Sequence, residues 1–170
     1  MKAILAALFA ITLGATSVHG QSFTPKNRSA QSISPQAISS PLGVIYRVSG
    51  LRDNGITTAS GVASTISCTN FSAVTERLRF SVYNYNSSLS ADKVFNVNPR
   101  TTFTASTHDT TVFTEDTDLA TGSLVQGMAI ISSTSSNVQC TAMVVDAGSL
   151  VPAGISLHMV RFNAQAGSME

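Results

Sequence analysis

One short segment of the chain, residues 107–118, holds its densest group of titratable side chains. The segment carries His108, Asp109, Glu115, Asp116 and Asp118, in a chain of which 11% of the residues are charged. Carboxylates gathered in one loop are the hard oxygen ligands that calcium prefers, and a His beside a carboxylate can act as a general base. These residue types suit a calcium site or a hydrolytic centre.

The spacing within this segment favours a plainer interpretation. A dedicated calcium loop has regularly spaced ligands around a central Gly, and residues 109–118 have neither feature. His108 and Asp109 are adjacent, and adjacent residues of an extended chain point to opposite faces, so Asp109 cannot orient His108 directly. We expect a solvated connection whose Asp and Thr side chains bond local backbone groups. Calcium binding by residues 109–118, and hydrolysis by His108 with nearby carboxylates, are the alternatives.

A second group of candidate residues lies on the most regular alternating stretch, residues 76–85. The apolar residues of this stretch predict a buried face, and the opposite parity carries Arg77, Arg79, Tyr83 and Tyr85. Guanidinium groups donate hydrogen bonds to acidic ligands, and tyrosine rings stack on planar groups or sugars. The stripe is a candidate ligand face, although Arg and Tyr are also ordinary occupants of a solvated strand.

Known catalytic and cofactor motifs are nearly absent from the sequence, and the one formal match, Ser90-x-x-Lys93, lacks the partner motifs of that chemistry and lies in a predicted turn before a strand. The sequence has no Gly-x-Ser-x-Gly, His-Glu-x-x-His, Walker or dinucleotide-binding motif, and no His pair accompanies its two cysteines at zinc-ligand spacing. The formal net charge of +1 provides no electrostatic footprint for nucleic acid. We therefore predict a non-enzymatic protein without cofactor or metal. It would bind a glycan, protein or surface partner, or serve as an extracellular structural component.

The first twenty residues have the pattern of a secretory signal peptide. Lys2 precedes an apolar stretch from Ala3 to Ala15, and the small residues Val18 and Gly20 precede the expected cleavage point. About thirteen apolar residues are too few to span a bilayer, which needs roughly twenty, and no later stretch is longer. We expect a secreted or periplasmic protein without a membrane span. Loss of Lys2 would leave equal numbers of acidic and basic residues.

Export makes the two cysteines, Cys68 and Cys140, interpretable. An isolated pair in an oxidising compartment is expected to form one disulfide, and each cysteine shares its parity with the apolar residues of a predicted strand. The spacing resembles that of the disulfide that joins the two sheets of immunoglobulin domains. The chain lacks Trp, however, and has Val138 where that family has a Tyr two residues before the second Cys.

The elements that must position these residues are short strands. After a Ser- and Gln-rich arm at residues 21–41, predicted to be disordered or extended, short apolar-polar alternations are separated by Gly, Asn, Pro and Ser. About eight strands fit residues 42–163, followed by a flexible tail at residues 164–170. The pattern predicts an all-β, antiparallel two-sheet sandwich, immunoglobulin-like in size, with one disulfide. The expected strands are Gly43–Leu51, a run through Val62, Ile66 and Cys68, Glu76–Tyr85, Lys93–Val97, Thr101–Ser106, Leu124–Ser132, Val138–Val145 and Ile155–Phe162.

Overall fold

The alternating pattern corresponds to ten β-strands in the computed structural model, which describes residues 41–55, 59–151 and 153–162. No helix in this part of the chain is long and apolar enough to cross a membrane. The predicted signal peptide and C-terminal tail, and the predicted arm up to residue 40, lie outside the described residues. The strands are β1 (Gly43–Asp53), β2 (Val62–Asn70), β3 (Glu76–Tyr83), β4 (Leu89–Val97), β5 (Thr102–Ser106), β6 (Thr117–Asp118), β7 (Leu124–Ser133), β8 (Val138–Asp146), β9 (Gly154–Ser156) and β10 (Met159–Arg161).

The strands form two packed five-stranded sheets, which confirms the predicted all-β sandwich. Sheet 1 has the strand order β10-β1-β7-β3-β4, and sheet 2 has the order β6-β5-β2-β8-β9. Neighbouring strands are antiparallel, apart from the parallel pair β5 and β6. Strands that are distant in sequence therefore lie side by side: β7 and β4 flank β3, and β1 lies on the far side of β7.

Two details differ from the expectation of about eight strands. The predicted strand Ile155–Phe162 is divided, because β9 pairs with β8 in sheet 2 whereas β10 pairs with β1 in sheet 1. Each sheet has an edge that this run can complete, so the chain crosses from one sheet to the other at Leu157 and His158. The two-residue strand β6 lies in the acidic segment, where two residues are too few to show a periodic pattern.

The core lies between the inner faces of the two sheets. Phe80 of β3 is fully buried and contacts Phe95 of β4 and Phe103 of β5, with ring centroids 6.0 Å away in both cases. Phe95 and Phe103 lie closer together, at 4.7 Å between centroids. Because Phe103 belongs to sheet 2, this aromatic cluster joins the two layers. Burial of such apolar surface is the main favourable contribution to folding.

Cys68 and Cys140 form the predicted disulfide, and both are buried. They are direct register partners on β2 and β8, with Cα atoms 4.1 Å apart. The bond therefore joins neighbouring strands within sheet 2 and not the two sheets, unlike the immunoglobulin bond that the spacing resembles. A disulfide of this kind is compatible with an oxidising extracellular or periplasmic location.

Candidate functional site

His108 lies in a buried polar cluster between the two sheets. This residue comes shortly after β5 of sheet 2, yet its Nδ1 is 3.0 Å from Oδ2 of Asp53, the last residue of β1 in sheet 1. The other ring nitrogen, Nε2, is 3.2 Å from the carbonyl oxygen of Ser60. The ring therefore has an oxygen acceptor on each side, the Asp53 carboxylate at Nδ1 and the Ser60 carbonyl at Nε2.

The Asp53 carboxylate is held in place by the chain around it. Oδ1 accepts a hydrogen bond from the backbone N–H of Gly55 at 2.6 Å, and Oδ2 also accepts from the Thr121 hydroxyl at 3.4 Å. Gly61 turns the chain back toward β2 with a φ of +77°, where an added Cβ would clash with the side-chain amide of Asn54. The Asp53–His108 pair therefore closes one end of the sandwich.

This geometry bears on the hydrolytic interpretation of His108. Asp109 is exposed, and the carboxylate that contacts the imidazole comes from a strand far away in sequence. His108 itself is only 3% exposed, and its Nε2 faces a backbone carbonyl where a general base would face a hydroxyl or water. The arrangement orients and buries the ring. Its direct role is structural: the hydrogen bond between His108 and the Asp53 carboxylate joins the two sheets, and we call this contact the clasp.

The acidic carboxylates of residues 109–118 bond local groups in two cases. Asp116 accepts hydrogen bonds from the backbone N–H and the hydroxyl of Thr110, and Asp118 accepts from the N–H of Ala120 at 2.5 Å. These are the local backbone bonds expected of a solvated connection. Within residues 41–55, 59–151 and 153–162, no three His, Cys, Asp or Glu side chains are grouped so that they could hold a metal ion.

The candidate ligand face lies on β3, at the outer surface of sheet 1. Arg79 and Tyr83 share the outward parity with Arg77, whereas Tyr85 lies beyond the end of β3 and is exposed in the following turn. The Arg79 guanidinium donates two hydrogen bonds to Asp92 of β4, from Nε to Oδ1 at 2.7 Å and from Nη2 to Oδ2 at 2.5 Å.

The Arg79–Asp92 pair has a clear electrostatic signature. Hydrogen bonds from the Arg79 guanidinium lower the pKa of Asp92 below its ordinary value of 3.8; partial burial opposes this effect, and the Ser81 hydroxyl adds to it. The same contact raises the pKa of Arg79 above its usual range. Because 46% of the Arg79 side chain is exposed, solvent screens the pair strongly. Its outer edge remains accessible to a ligand.

Neighbouring strands add residues to this face that the pattern along β3 does not reveal. Ile130 of β7 lies between Ser81 of β3 and Arg47 of β1 in one cross-strand row, and Met128 lies opposite Tyr83 in the next row. The Arg47 guanidinium stacks over the Phe162 ring, 4.5 Å from its centroid. A sequence signal exists, because Arg47 has outward parity in the first predicted strand, but nothing in it indicates that β1 and β3 share a neighbour.

Comparison of the chain with protein-family models, with curated proteins and with solved structures finds no match.

Proposed function

We propose that the mature protein is an exported, non-enzymatic binding module that takes an anionic polymer, such as an acidic polysaccharide, on the outer face of sheet 1. The observation that carries this proposal is the concentration of arginine on one open sheet face. Arg47, Arg77 and Arg79 have outward parity there together with Tyr83, and Asp92 is the acidic residue of outward parity among the described strands of that sheet.

The chemistry of the face suits an extended ligand. A guanidinium presents a planar fork of donors that matches a carboxylate or sulfate in two parallel hydrogen bonds, and a tyrosine ring supplies a flat surface for a sugar. Neighbouring strands lie about 4.8 Å apart and successive outward residues about 6.7 Å apart, so Arg47 and Arg79, two strands and one outward row apart, are separated by about 12 Å. Such a distance lets successive charged units of one polymer meet successive arginines.

Export and the absence of catalysis are separate parts of the proposal. Export is supported by the leader pattern at residues 1–20 and by the Cys68–Cys140 disulfide, which is stable in an oxidising compartment. The non-enzymatic role is supported by the burial of His108, whose two ring nitrogens face acceptors of the protein itself. Intact mass measurement of the protein from the exported fraction should find a chain that begins at Gln21.

The binding proposal is tested by affinity electrophoresis or cosedimentation with a carboxylated polysaccharide and with a neutral one. The mature protein should bind the carboxylated polymer alone, and 0.5 M salt should weaken binding because exposed charges are screened. Arg47→Ala and Tyr83→Ala should each weaken binding by about tenfold, which equals about 1.4 kcal/mol.

Lys93→Ala is the matched control for the loss of one positive charge. Lys93 lies opposite Phe80 in the register of β3 and β4 and therefore has the inward parity of the same sheet edge. Its loss should leave binding unchanged. Equal losses for Lys93→Ala and Arg47→Ala would show that net charge and not this face controls binding, and a failure to bind any anionic polymer would overturn the proposal.

A further inference from the structure

The fold sorts the charges of a nearly neutral chain toward opposite ends of the sandwich. One end is formed by the C-terminal ends of β1, β5 and β8 and by the segment after β5, and we call it the acidic end. The basic residue at this end is Arg52. The exposed or partly exposed acidic residues there are Asp109, Glu115, Asp116, Asp118 and Asp146. The Asp53 carboxylate at the same end is buried against His108.

The opposite end, the basic end, is formed by the C-terminal ends of β2 and β4 and the N-terminal end of β3. It carries Arg77, Arg100 and Arg161, and its acidic residue, Glu76, is buried and accepts a hydrogen bond from Thr134. Arg100 lies directly beside the end of β2, because its backbone N–H donates to the Asn70 carbonyl at 2.9 Å. The two ends therefore have complementary charge, which attracts them toward each other.

Each end also presents apolar surface next to its charges. At the basic end, Phe71 and Val74 follow β2 and are 51% and 53% exposed. At the acidic end, Leu150 and Ile155 are 81% and 74% exposed. Exposed apolar groups surrounded by charge are typical of a protein–protein contact, with an apolar centre and a polar rim.

The acidic end has an open depression into which such a side chain could insert. Its volume is about 490 Å³, and it lies beside β9, with a lining that includes Gly61, Val62, Val144, Val145, Asp146 and Ile155. The lining is apolar except for Asp146, whose carboxylate lies at the end of β8. Phe71 with Arg100 beside it complements this depression with Asp146 beside it.

We propose that the partner of each end is the opposite end of a second copy of this chain. Phe71 of one copy inserts into the depression beside β9 of the next copy, and Arg100 lies near Asp146 at the rim. Two different surfaces meet, so the contact is heterologous and leaves a free end on each copy. Repetition of the contact builds a linear assembly. The contact uses Phe71, Arg100 and the depression beside β9, none of which belongs to the polymer-binding face; Arg77 is the residue that this face and the basic end share.

Two variants, each of which disables the contact surface at one end, test whether assembly joins unlike ends. Phe71→Ser removes the inserting side chain from the basic end, and Ile155→Lys places a cation at the depression opposite Arg100. The mature wild-type protein, followed by analytical ultracentrifugation at low salt, should form species larger than dimers as concentration rises, and 0.5 M salt should weaken association. The association constant of each variant alone should be at least about tenfold lower than that of wild type.

A mixture of the two variants gives the decisive readout. The intact acidic end of Phe71→Ser can bind the intact basic end of Ile155→Lys, so the mixture should form heterodimers and no larger species. Val94→Ser, which changes an exposed apolar residue in the middle of β4 and away from both ends, is the control and should assemble as wild type does. Unchanged thermal unfolding of each variant shows that the fold is intact.

Three results would overturn the inference. The first is a wild-type protein that stays monomeric at all protein and salt concentrations. The second is a wild-type protein that stops at a dimer, with no heterodimer in the mixture of the two variants. The third is cosedimentation with anionic lipid vesicles that Phe71→Ser abolishes while the protein remains monomeric, because the apolar basic end would then contact a membrane. Polymer binding, measured separately with Arg47→Ala, distinguishes these results from a failure of the proposed function.

Discussion

The buried pair of Asp53 and His108 makes a sharp prediction about stability. Replacing His108 with Ala removes the donor that faces Asp53 Oδ2 and leaves the carboxylate buried with hydrogen bonds from Gly55 and Thr121. Removing this donor costs about 3 kcal/mol, because Oδ2 of the buried carboxylate keeps only the long hydrogen bond from Thr121 where water does not reach. The loss is a large part of a typical folding free energy of about 5–15 kcal/mol.

Asp53→Asn should be much milder, for a reason that depends on atom positions. The Asn carbonyl can keep the hydrogen bond from Gly55, and its amide can donate to Nδ1 of His108, which then donates only from Nε2 to the Ser60 carbonyl. Every buried group retains a partner, so the expected cost is that of exchanging one hydrogen bond, about 1 kcal/mol. If the two side chains were adjacent without a hydrogen bond between them, His108→Ala and Asp53→Asn would not be expected to differ in this way.

Urea unfolding of the oxidised protein, followed by circular dichroism, measures both costs. His108→Ala should also lower the melting temperature by roughly 10–20 °C. Asp109→Asn is the matched control, because Asp109 is the exposed carboxylate next to His108 in sequence, and its replacement should change the free energy of unfolding by less than about 0.5 kcal/mol. A loss below about 1 kcal/mol for His108→Ala, or equal losses for His108→Ala and Asp53→Asn, would refute the clasp.

Three further outcomes follow from the structure. Replacing Cys68 and Cys140 together with Ala should lower the free energy of unfolding by about 4 kcal/mol in urea titrations, the chain-entropy value for a loop of this length, and a loss below about 1 kcal/mol would contradict it. Millimolar calcium should shift the melting temperature by less than about 2 °C, whereas a shift of 5 °C or more that Asp116→Asn abolishes would reveal a calcium site. Because Arg79 lowers the pKa of Asp92, their pair stabilises the fold above pH 3.8 and loses this effect as pH falls through the lowered pKa, so the stability difference between wild type and Asp92→Asn should vanish at the acid end of a pH series.

The residue pattern alone was sufficient for the fold class, because the evidence for a strand is local. Alternation through Leu78, Phe80 and Val82 places one face of β3 in the core wherever that strand lies in a sheet. The disulfide could likewise be predicted from the core parity of Cys68 and Cys140 and from their isolation as a pair. These conclusions depend only on period and chemistry.

The order of the strands, in contrast, was decided by tertiary structure. Two strands become neighbours through packing of whole faces, so no local pattern shows that β7 lies between β1 and β3. The divided last strand, the crossing from β9 to β10, and the placement of the disulfide within sheet 2 all follow from which sheet edges were open.

The candidate sites show the same division. The sequence identified His108 and the outward stripe of β3 by residue type, but His108 found its partner in Asp53, which only packing of the two sheets brings within 3.0 Å. Arg47 joined the stripe because β7 bridges the two strands. Net charge is a sum over the chain and is fixed by composition, whereas the separation of acidic and basic ends depends on the direction in which each strand runs and is therefore a property of the fold.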